Sequence, residues 1–326
     1  MIISRTPLRI SFFGGGTDLK DFYALEGGAV LSTAIDKYIF VTVNKKFDDH
    51  IRVSYSKTEI VEHVDQVKHD LVREAMKLTG VNGGIEITTI ADIPSQGTGL
   101  GSSSTFTVGV LNALYAYKGQ HVSAEVLAQQ ACKIEIDIVG EPIGKQDQYI
   151  TTYGGLQLIR FNPDGSVFVD PIICDSKFKR ALQGNLMLFY TGITRRANSI
   201  LTEQKKNSSG KKVEELKALK ELALKAKKVI EVDKSLDEFG RLLDKNWEIK
   251  KSLAEGISKP RIDEFYQQAK KAGALGGKIA GAGGGGFLIL YVPKDRQPTV
   301  RQALSSLREL TFCFEAQGSK IIYVCD

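Results

Sequence analysis

Pro94-Ser95-Gln96-Gly97-Thr98-Gly99-Leu100-Gly101-Ser102-Ser103-Ser104 is the stretch on which the reading of this chain turns. An alternating strand candidate, Ile85 to Thr89, precedes it. A helix is predicted from about Ser103 to Lys118, with Phe106, Val110, Leu111 and Leu114 on one face. Glycine lacks Cβ, so the loop backbone can turn left-handed and approach a ligand closely. The first N–H groups of a helix have no internal partner and carry partial positive charge. A phosphate chain is the natural occupant. Pro94, Gly97, Gly99, Leu100, Gly101, Ser102, Ser103 and Ser104 are therefore candidate phosphate-cradle residues. The serines can cap the helix, bond phosphate oxygens or ligate magnesium. The plainer alternative is a flexible loop before an ordinary serine cap. The stretch is not G-x-x-x-x-G-K-[ST]; the nearest approach, Gly140 to Gly144-Lys145-Gln146, is one residue short and lacks the hydroxyl.

A second glycine cluster follows Lys278: Ile279-Ala280-Gly281-Ala282-Gly283-Gly284-Gly285-Gly286. Gly281, Gly283 and Gly286 match G-x-G-x-x-G in form. That fingerprint opens a helix, whereas here the glycines run into the apolar strand Phe287 to Val292, so a dinucleotide fold is rejected. Gly281 and Gly283 are read as a backbone wall against a ligand, with an empty tight turn as the alternative. Near the start, Arg5-Thr6-Pro7-Leu8-Arg9-Ile10-Ser11-Phe12-Phe13-Gly14-Gly15-Gly16-Thr17-Asp18 places a triple glycine after a strand. Thr17 and Asp18 can bond sugar hydroxyls or form an Asx-capped turn. Asp147 can take or orient the proton of an attacking hydroxyl, with Lys145 expected to hold it ionised. Glu135 and a serine hydroxyl suit magnesium. By residue usage alone, both acids would be surface residues.

The remaining sequence sets the frame. A chain of 326 residues predicts two domains, divided near residue 185 into 1–184 and 185–326. Strands are expected at Leu8 to Phe13, Ala29 to Ala34, Tyr38 to Asn44, Ile51 to Tyr55, Tyr149 to Phe161, Asn185 to Thr191 and Ile321 to Val324. Helices are expected at Ala124 to Val139, Lys211 to Lys228, Leu236 to Leu253, Arg261 to Ala272 and Gln297 to Leu310. This mixture is α+β. A net charge of +6 fits an anionic substrate, and no basic–aromatic interleaving points to nucleic acid. Cys132, Cys174, Cys313 and Cys325 form no C-x-x-C pair, which argues against zinc and against a disulfide framework. No signal-peptide core and no membrane-length apolar run is found, so a cytoplasmic protein without a membrane partner is expected.

Together the three glycine-bearing motifs resemble the GHMP kinases, a family that includes galactokinase, homoserine kinase, mevalonate kinase and phosphomevalonate kinase. They occur in that family's order, from residue 5 to residue 287. The resemblance implies an N-terminal ribosomal-protein-S5-like domain, a C-terminal ferredoxin-like domain, and ATP with Mg2+ between them. It implies Ser103 and Glu135 as metal ligands and Asp147 as the catalytic carboxylate. Arg9 would lie beside the nucleophilic hydroxyl and the transferring phosphate, and Asp18 would bind the sugar. Galactokinases carry Glu-His where this chain has Gly15-Gly16. The triple glycine with Lys145-Gln146-Asp147-Gln148 looks instead like the D-glycero-D-manno-heptose 7-phosphate kinases, which phosphorylate an anomeric hydroxyl. Arg195 and Arg196 are candidates for that substrate's remote phosphate. A kinase of fucose or another free sugar, a non-catalytic sugar or nucleotide sensor, and a diphosphate decarboxylase of the same superfamily remain alternatives. Oligomeric state is not legible.

Overall fold

The computed structural model describes residues 1–94, 97–193, 202–203, 210 and 212–325, and structural statements concern these residues. Arg195 and Arg196 lie outside them. The first sheet contains β1 (Ile2–Phe13), β2 (Gly28–Lys45), β3 (Ile51–Ser54), β4 (Thr58–Val61), β5 (Ile85–Ala91), β6 (Leu156–Phe161), β7 (Val167–Pro171) and β12 (Lys320–Val324). Its order is β12-β1-β2-β5-β3-β4, with β6 joined to β2 and β7 beyond it. The second sheet runs β11-β8-β10-β9, from β8 (Leu186–Tyr190), β9 (Gly276–Ile279), β10 (Phe287–Tyr291) and β11 (Arg308–Glu309). The expected α+β architecture is thus observed as two sheets, with the chain returning to the first sheet through β12.

Strand β1 is buried without alternation from Thr6 onward, the pattern of a strand covered on both faces. Helix α3 (Ser102–Tyr117) packs on β1 and β2, and α7 (Val213–Lys228) also packs on both. Strand β2 is one long strand where the sequence predicts two. Leu8 pairs with Ile35 and Pro7 with Tyr38, so Asp36 and Lys37 bulge without ending the strand. β2 pairs with β6 along its first half and with β5 along its second.

Two expectations are corrected. Tyr149 to Phe161 is not strand throughout: Gln146–Tyr153 is helix α5, and only then does β6 begin. Ile150, Thr151 and Thr152 are β-branched, which suggested a strand. In the helix, Thr151 Oγ1 bonds back to Asp147 O at 2.8 Å and Thr152 Oγ1 to Gln148 O at 2.7 Å. The predicted helix Gln297 to Leu310 ends at Ala303 (α10), and the chain turns into β11. Three shorter helices carry no sequence-based expectation: α1 (Lys20–Glu26), α2 (Asp70–Thr79) and α6 (Ser176–Gly184).

Helix α8 (Leu236–Lys251) joins the two sheets. Its Phe239 meets Phe12 edge-on at 5.4 Å and Phe13 at 5.2 Å, and lies 6.1 Å from Tyr291 of β10. Helix α9 (Pro260–Lys271) then leads back to β9. Among the described residues no helix is long and apolar enough to cross a membrane. Because Phe239 is fully buried between the sheets, Phe239→Ala is expected to cost about 3–5 kcal/mol. Urea unfolding checks this, and a loss under 1 kcal/mol would contradict the bridging role.

Candidate active site

Gly101 caps α3 with φ +80°, a left-handed conformation that suits glycine. This leaves the N–H groups of Ser102 and Ser103 in the open first turn. Ser102 Oγ lies 3.2 Å from Thr98 Oγ1, a loop hydroxyl the sequence reading had not singled out. Pro94 stands exposed at the mouth of the loop, while Ser95 and Gln96 lie outside the described residues. The second glycine cluster joins β9 to β10 and lies directly on the first loop. A Cβ on Gly99 (φ +76°) would stand 2.3 Å from Ala280 O, and one on Gly281 would stand 2.8 Å from Gly99 Cα. Phe287 N–H donates to Thr98 O at 3.2 Å, and Gly284 N–H to Ile257 O at 2.8 Å. Gly281 thus packs on Gly99, and Gly286 on the carbonyls of Gly97 and Thr98, whereas Gly283 meets Ile257.

Arg9 and Asp147 are brought together although 138 residues apart. Arg9 Nε donates to Asp147 Oδ1 at 2.7 Å and Nη2 to Oδ2 at 2.6 Å. Such forked pairs are charge-assisted and directional. The third guanidinium nitrogen donates to Gly99 O at 2.6 Å, and the Arg9 N–H donates to Leu100 O at 3.1 Å. The pair sits on the phosphate-loop candidate: a Cβ on Gly101 would lie 3.1 Å from Arg9 Cγ and 3.3 Å from Asp147 Oδ2. Asp147 lies in the first turn of α5 and keeps a partly exposed carboxylate. Lys145 is not its partner. Lys145 Nζ donates to Gly165 O at 3.0 Å and lies over the Tyr23 ring.

Glu135 is fully buried on a π-helical segment, Lys133–Ile138, that continues α4 (Ala124–Cys132). Its carboxylate accepts from Ser103 Oγ at 2.9 Å and from Gln148 Nε2 at 2.5 Å. Burial pushes its pKa up to about 7, against the hydrogen bonds from Ser104, Gln148 and Ser103. A buried carboxylate with neutral donors around it fits a cation. Among the described residues no three His, Cys, Asp or Glu side chains cluster, so one carboxylate and one hydroxyl would leave most positions to phosphate and water. Magnesium accepts such a shell.

The triple glycine wraps Asp18. Gly16 N–H donates to Asp18 Oδ1 at 2.9 Å, and Gln146 N–H and Nε2 donate to Oδ2 at 3.2 and 3.0 Å. Burial raises the Asp18 pKa above the usual carboxylate range, and the Asp147 charge adds to the shift. The Thr17 hydroxyl is engaged inside the turn, 2.8 Å from Gly14 O. Gly15 faces three polar side chains instead: its Cβ position lies 3.2 Å from Lys250 Nζ, 3.6 Å from Ser11 Oγ and 3.8 Å from Gln146 Nε2.

Lys250 and Lys278 have no assigned role in the sequence reading. Lys278 is fully buried, and its Nζ donates to Ser11 O at 2.8 Å, tying β9 to β1. Lys250 donates to Gly281 O at 2.9 Å. Burial lowers the Lys250 pKa to about 8, countered by the charge of Asp18. A signal was present: Phe239, Leu243, Asn246 and Lys250 repeat at helical spacing, which places a lysine on the buried stripe.

The profile for the GHMP kinases N terminal domain matches residues 62–155, and that for GHMP kinases C terminal matches residues 227–309. The D-glycero-alpha-D-manno-heptose 7-phosphate kinase of Campylobacter jejuni is 31% identical over 98% of both chains. The L-fucokinase/L-fucose-1-P guanylyltransferase of Bacteroides fragilis is 29% identical over 92% of this chain and 35% of its own length. The crystal structure of a D-glycero-D-manno-heptose 1-phosphate kinase from Bacteroides thetaiotaomicron superposes with a TM-score of 0.82 at 24% identity, covering 100% of both chains.

Two outcomes follow from this geometry. Gly99→Ala places a Cβ against the Ala280 carbonyl at a positive φ, so it is expected to weaken nucleotide binding at least tenfold by calorimetry. An unchanged affinity would separate the glycine contact from the nucleotide. Lys250 titrates lower in the folded chain than in the unfolded chain. From pH 8 upward the unfolded state therefore binds more protons, and stability rises relative to a Lys250→Met variant. Urea unfolding from pH 7 to 10.5 should show a relative gain of about 3 kcal/mol. A flat difference would contradict the burial-lowered pKa of Lys250.

Proposed function

The chain belongs to the GHMP kinase superfamily and is an ATP-dependent kinase of a sugar or sugar phosphate; from that premise, we propose that its acceptor is D-glycero-D-manno-heptose 7-phosphate. The γ-phosphoryl group passes from ATP to the anomeric hydroxyl, giving the 1,7-bisphosphate and ADP. The Arg9–Asp147 fork seated on Gly101 carries this reading. Identity of 31% along 98% of the Campylobacter jejuni heptose phosphate kinase supports the choice of acceptor.

In this reading the triphosphate lies along the N–H groups of Gly97, Gly99, Leu100, Gly101, Ser102, Ser103 and Ser104, with Gly281 and Gly283 behind it. The α3 dipole favours the negative charge. Asp147 accepts the proton of the anomeric hydroxyl as its oxygen closes on the γ-phosphorus. An ionised carboxylate has about four lone-pair sites, so the two bonds to Arg9 leave room for that hydroxyl. Arg9 holds the carboxylate in place and presents positive charge where the transferring group gains negative charge. Ser103 and Glu135 would hold Mg2+, which neutralises phosphate charge when bound. Asp18, with Gly15, Gly16 and Thr17 shaping its loop, lines the acceptor side, and Arg195 and Arg196 take the remote phosphate. We assign residues 1–184 to the S5-like domain and 185–326 to the ferredoxin-like domain, with β12 added to the first sheet.

A second acceptor class is favoured by a specific observation. The Bacteroides fragilis fucokinase protein is nearly as similar, although this chain spans about a third of its length. A panel of heptose 7-phosphate, fucose, galactose and mevalonate with ATP, read by ADP release, separates the classes. Heptose 7-phosphate is expected to give the highest kcat/KM; preference for fucose would reassign the acceptor. Asp147→Asn is expected to lower kcat by about 10²–10⁴-fold while ATP affinity stays within threefold. Full turnover in that variant would remove Asp147 from the chemistry.

A further inference from the structure

On the premise that the chain is a sugar kinase, we propose that Asn246 and Lys250 of α8 form one wall of the acceptor site and read sugar hydroxyls next to the one that is phosphorylated. The two residues are one helical turn apart and share a face. Both are almost fully buried, at 1% and 4% exposure. They lie over the triple glycine: Asn246 Oδ1 accepts the Gly14 N–H at 3.4 Å, and Lys250 Nζ occupies the space beside Gly15.

Among the described residues, three buried polar atoms on side chains that line the Gly14–Gly15 turn have no hydrogen-bond partner: Asn246 Nδ2, Ser11 Oγ and Gln146 Oε1. Each unpaired buried group of this kind costs about 1–3 kcal/mol. Three on the side chains lining one glycine turn mark a surface completed by a polar ligand. Lys250 adds to this, since its ammonium has three donors and, among the described residues, makes a single hydrogen bond, to Gly281 O.

The chemistry of the set selects the ligand class. Lys250 and Asn246 Nδ2 donate, Gln146 Oε1 accepts, and Ser11 Oγ does either. A phosphate offers only acceptors and would leave Gln146 Oε1 unanswered. Sugar hydroxyls both donate and accept, so they answer the whole set. Position fixes which hydroxyls. Lys250 Nζ donates to Gly281 O, a Cβ on Gly281 would stand 2.8 Å from Gly99 Cα, and Gly99 O accepts from Arg9, so this wall adjoins the reacting pair and not a remote end of the sugar. The bare Gly15 is the counterpart of this arrangement. A side chain there would meet Lys250 Nζ, so the polar groups reach the acceptor from the second half of the chain.

The test compares Lys250→Met and Asn246→Leu with the native protein and with Lys251→Met. Lys251 pairs with Glu248 at 2.9 Å on another face of the same helix. Kinetics are measured with ATP, with the best sugar from the panel and with its single-deoxy analogues, alongside thermal melts. The two variants are expected to raise acceptor KM at least tenfold with ATP KM within twofold, while Lys251→Met matches the native protein. One deoxy analogue should be penalised in the native enzyme but not further penalised in Lys250→Met. Unmoved acceptor KM overturns the proposal, whether kcat or melting temperature falls or not; so do equal deoxy penalties in native and variant. If Lys250→Met does not fold, Lys250→Gln, which keeps a donor for Gly281 O, carries the same comparison. Absence of sugar-dependent ADP release by the native protein would sink the sugar-kinase reading itself; normal native turnover with unaffected variants would sink this inference alone.

Discussion

One guanidinium organises this molecule. Arg9 grips both oxygens of Asp147 and, with its remaining nitrogen, the carbonyl of Gly99. It is almost entirely buried, so its charge must be answered locally. Asp147 supplies the countercharge, and the loop carbonyl supplies the remaining acceptor. The consequence is geometric. A strand, a loop and a helix start, which come from three separate regions of sequence, are locked at fixed distances because one planar cation needs all three.

Around that cation the construction is mostly main chain. The two glycine clusters meet carbonyl to Cα, at separations where no side chain fits. The site therefore combines a backbone face, suited to a charged chain of phosphates, with a small number of side chains that confer chemistry. Those side chains come from both halves: Arg9, Asp18, Glu135 and Asp147 from one, Lys250 and Lys278 from the other. Three buried basic groups, Arg9, Lys250 and Lys278, lie near the acids Asp18, Glu135 and Asp147, and burial drives the Lys278 amine well below its ordinary pKa.

How much of this could be read from sequence follows physical lines. The phosphate-loop candidate was legible because glycine spacing before a helix has a direct backbone meaning. Ser103 and Glu135 were expected together from resemblance, and Arg9 and Asp147 each as a site residue; the fold brings Ser103 to Glu135 and Arg9 to Asp147 within hydrogen-bond distance. The partner of Asp147 was misread as Lys145 because sequence proximity stood in for spatial proximity. Helix α5 was hidden because its β-branched residues satisfy their hydroxyls on their own helix. Lys250 looked like one lysine among many in a charged helix. Only its place on the apolar stripe of α8 sets it apart, and that stripe gains meaning once the facing glycines are known. Arg195 and Arg196 lie outside the described residues, so their expected role rests on sequence.

The pairing of β1 with β12 has a consequence for how the molecule is made. The strand that carries Arg9 is synthesised long before its outer neighbour, Lys320–Val324, with which it pairs antiparallel. Until then the outer edge of β1 has no strand beside it, and unpaired edges recruit other chains. Contacts so distant along the chain slow folding, because a large loop must close before they form. The assembly of the strand that carries Arg9 is thereby tied to the synthesis of β12, and a nascent chain stalled before residue 320 would present an adhesive edge.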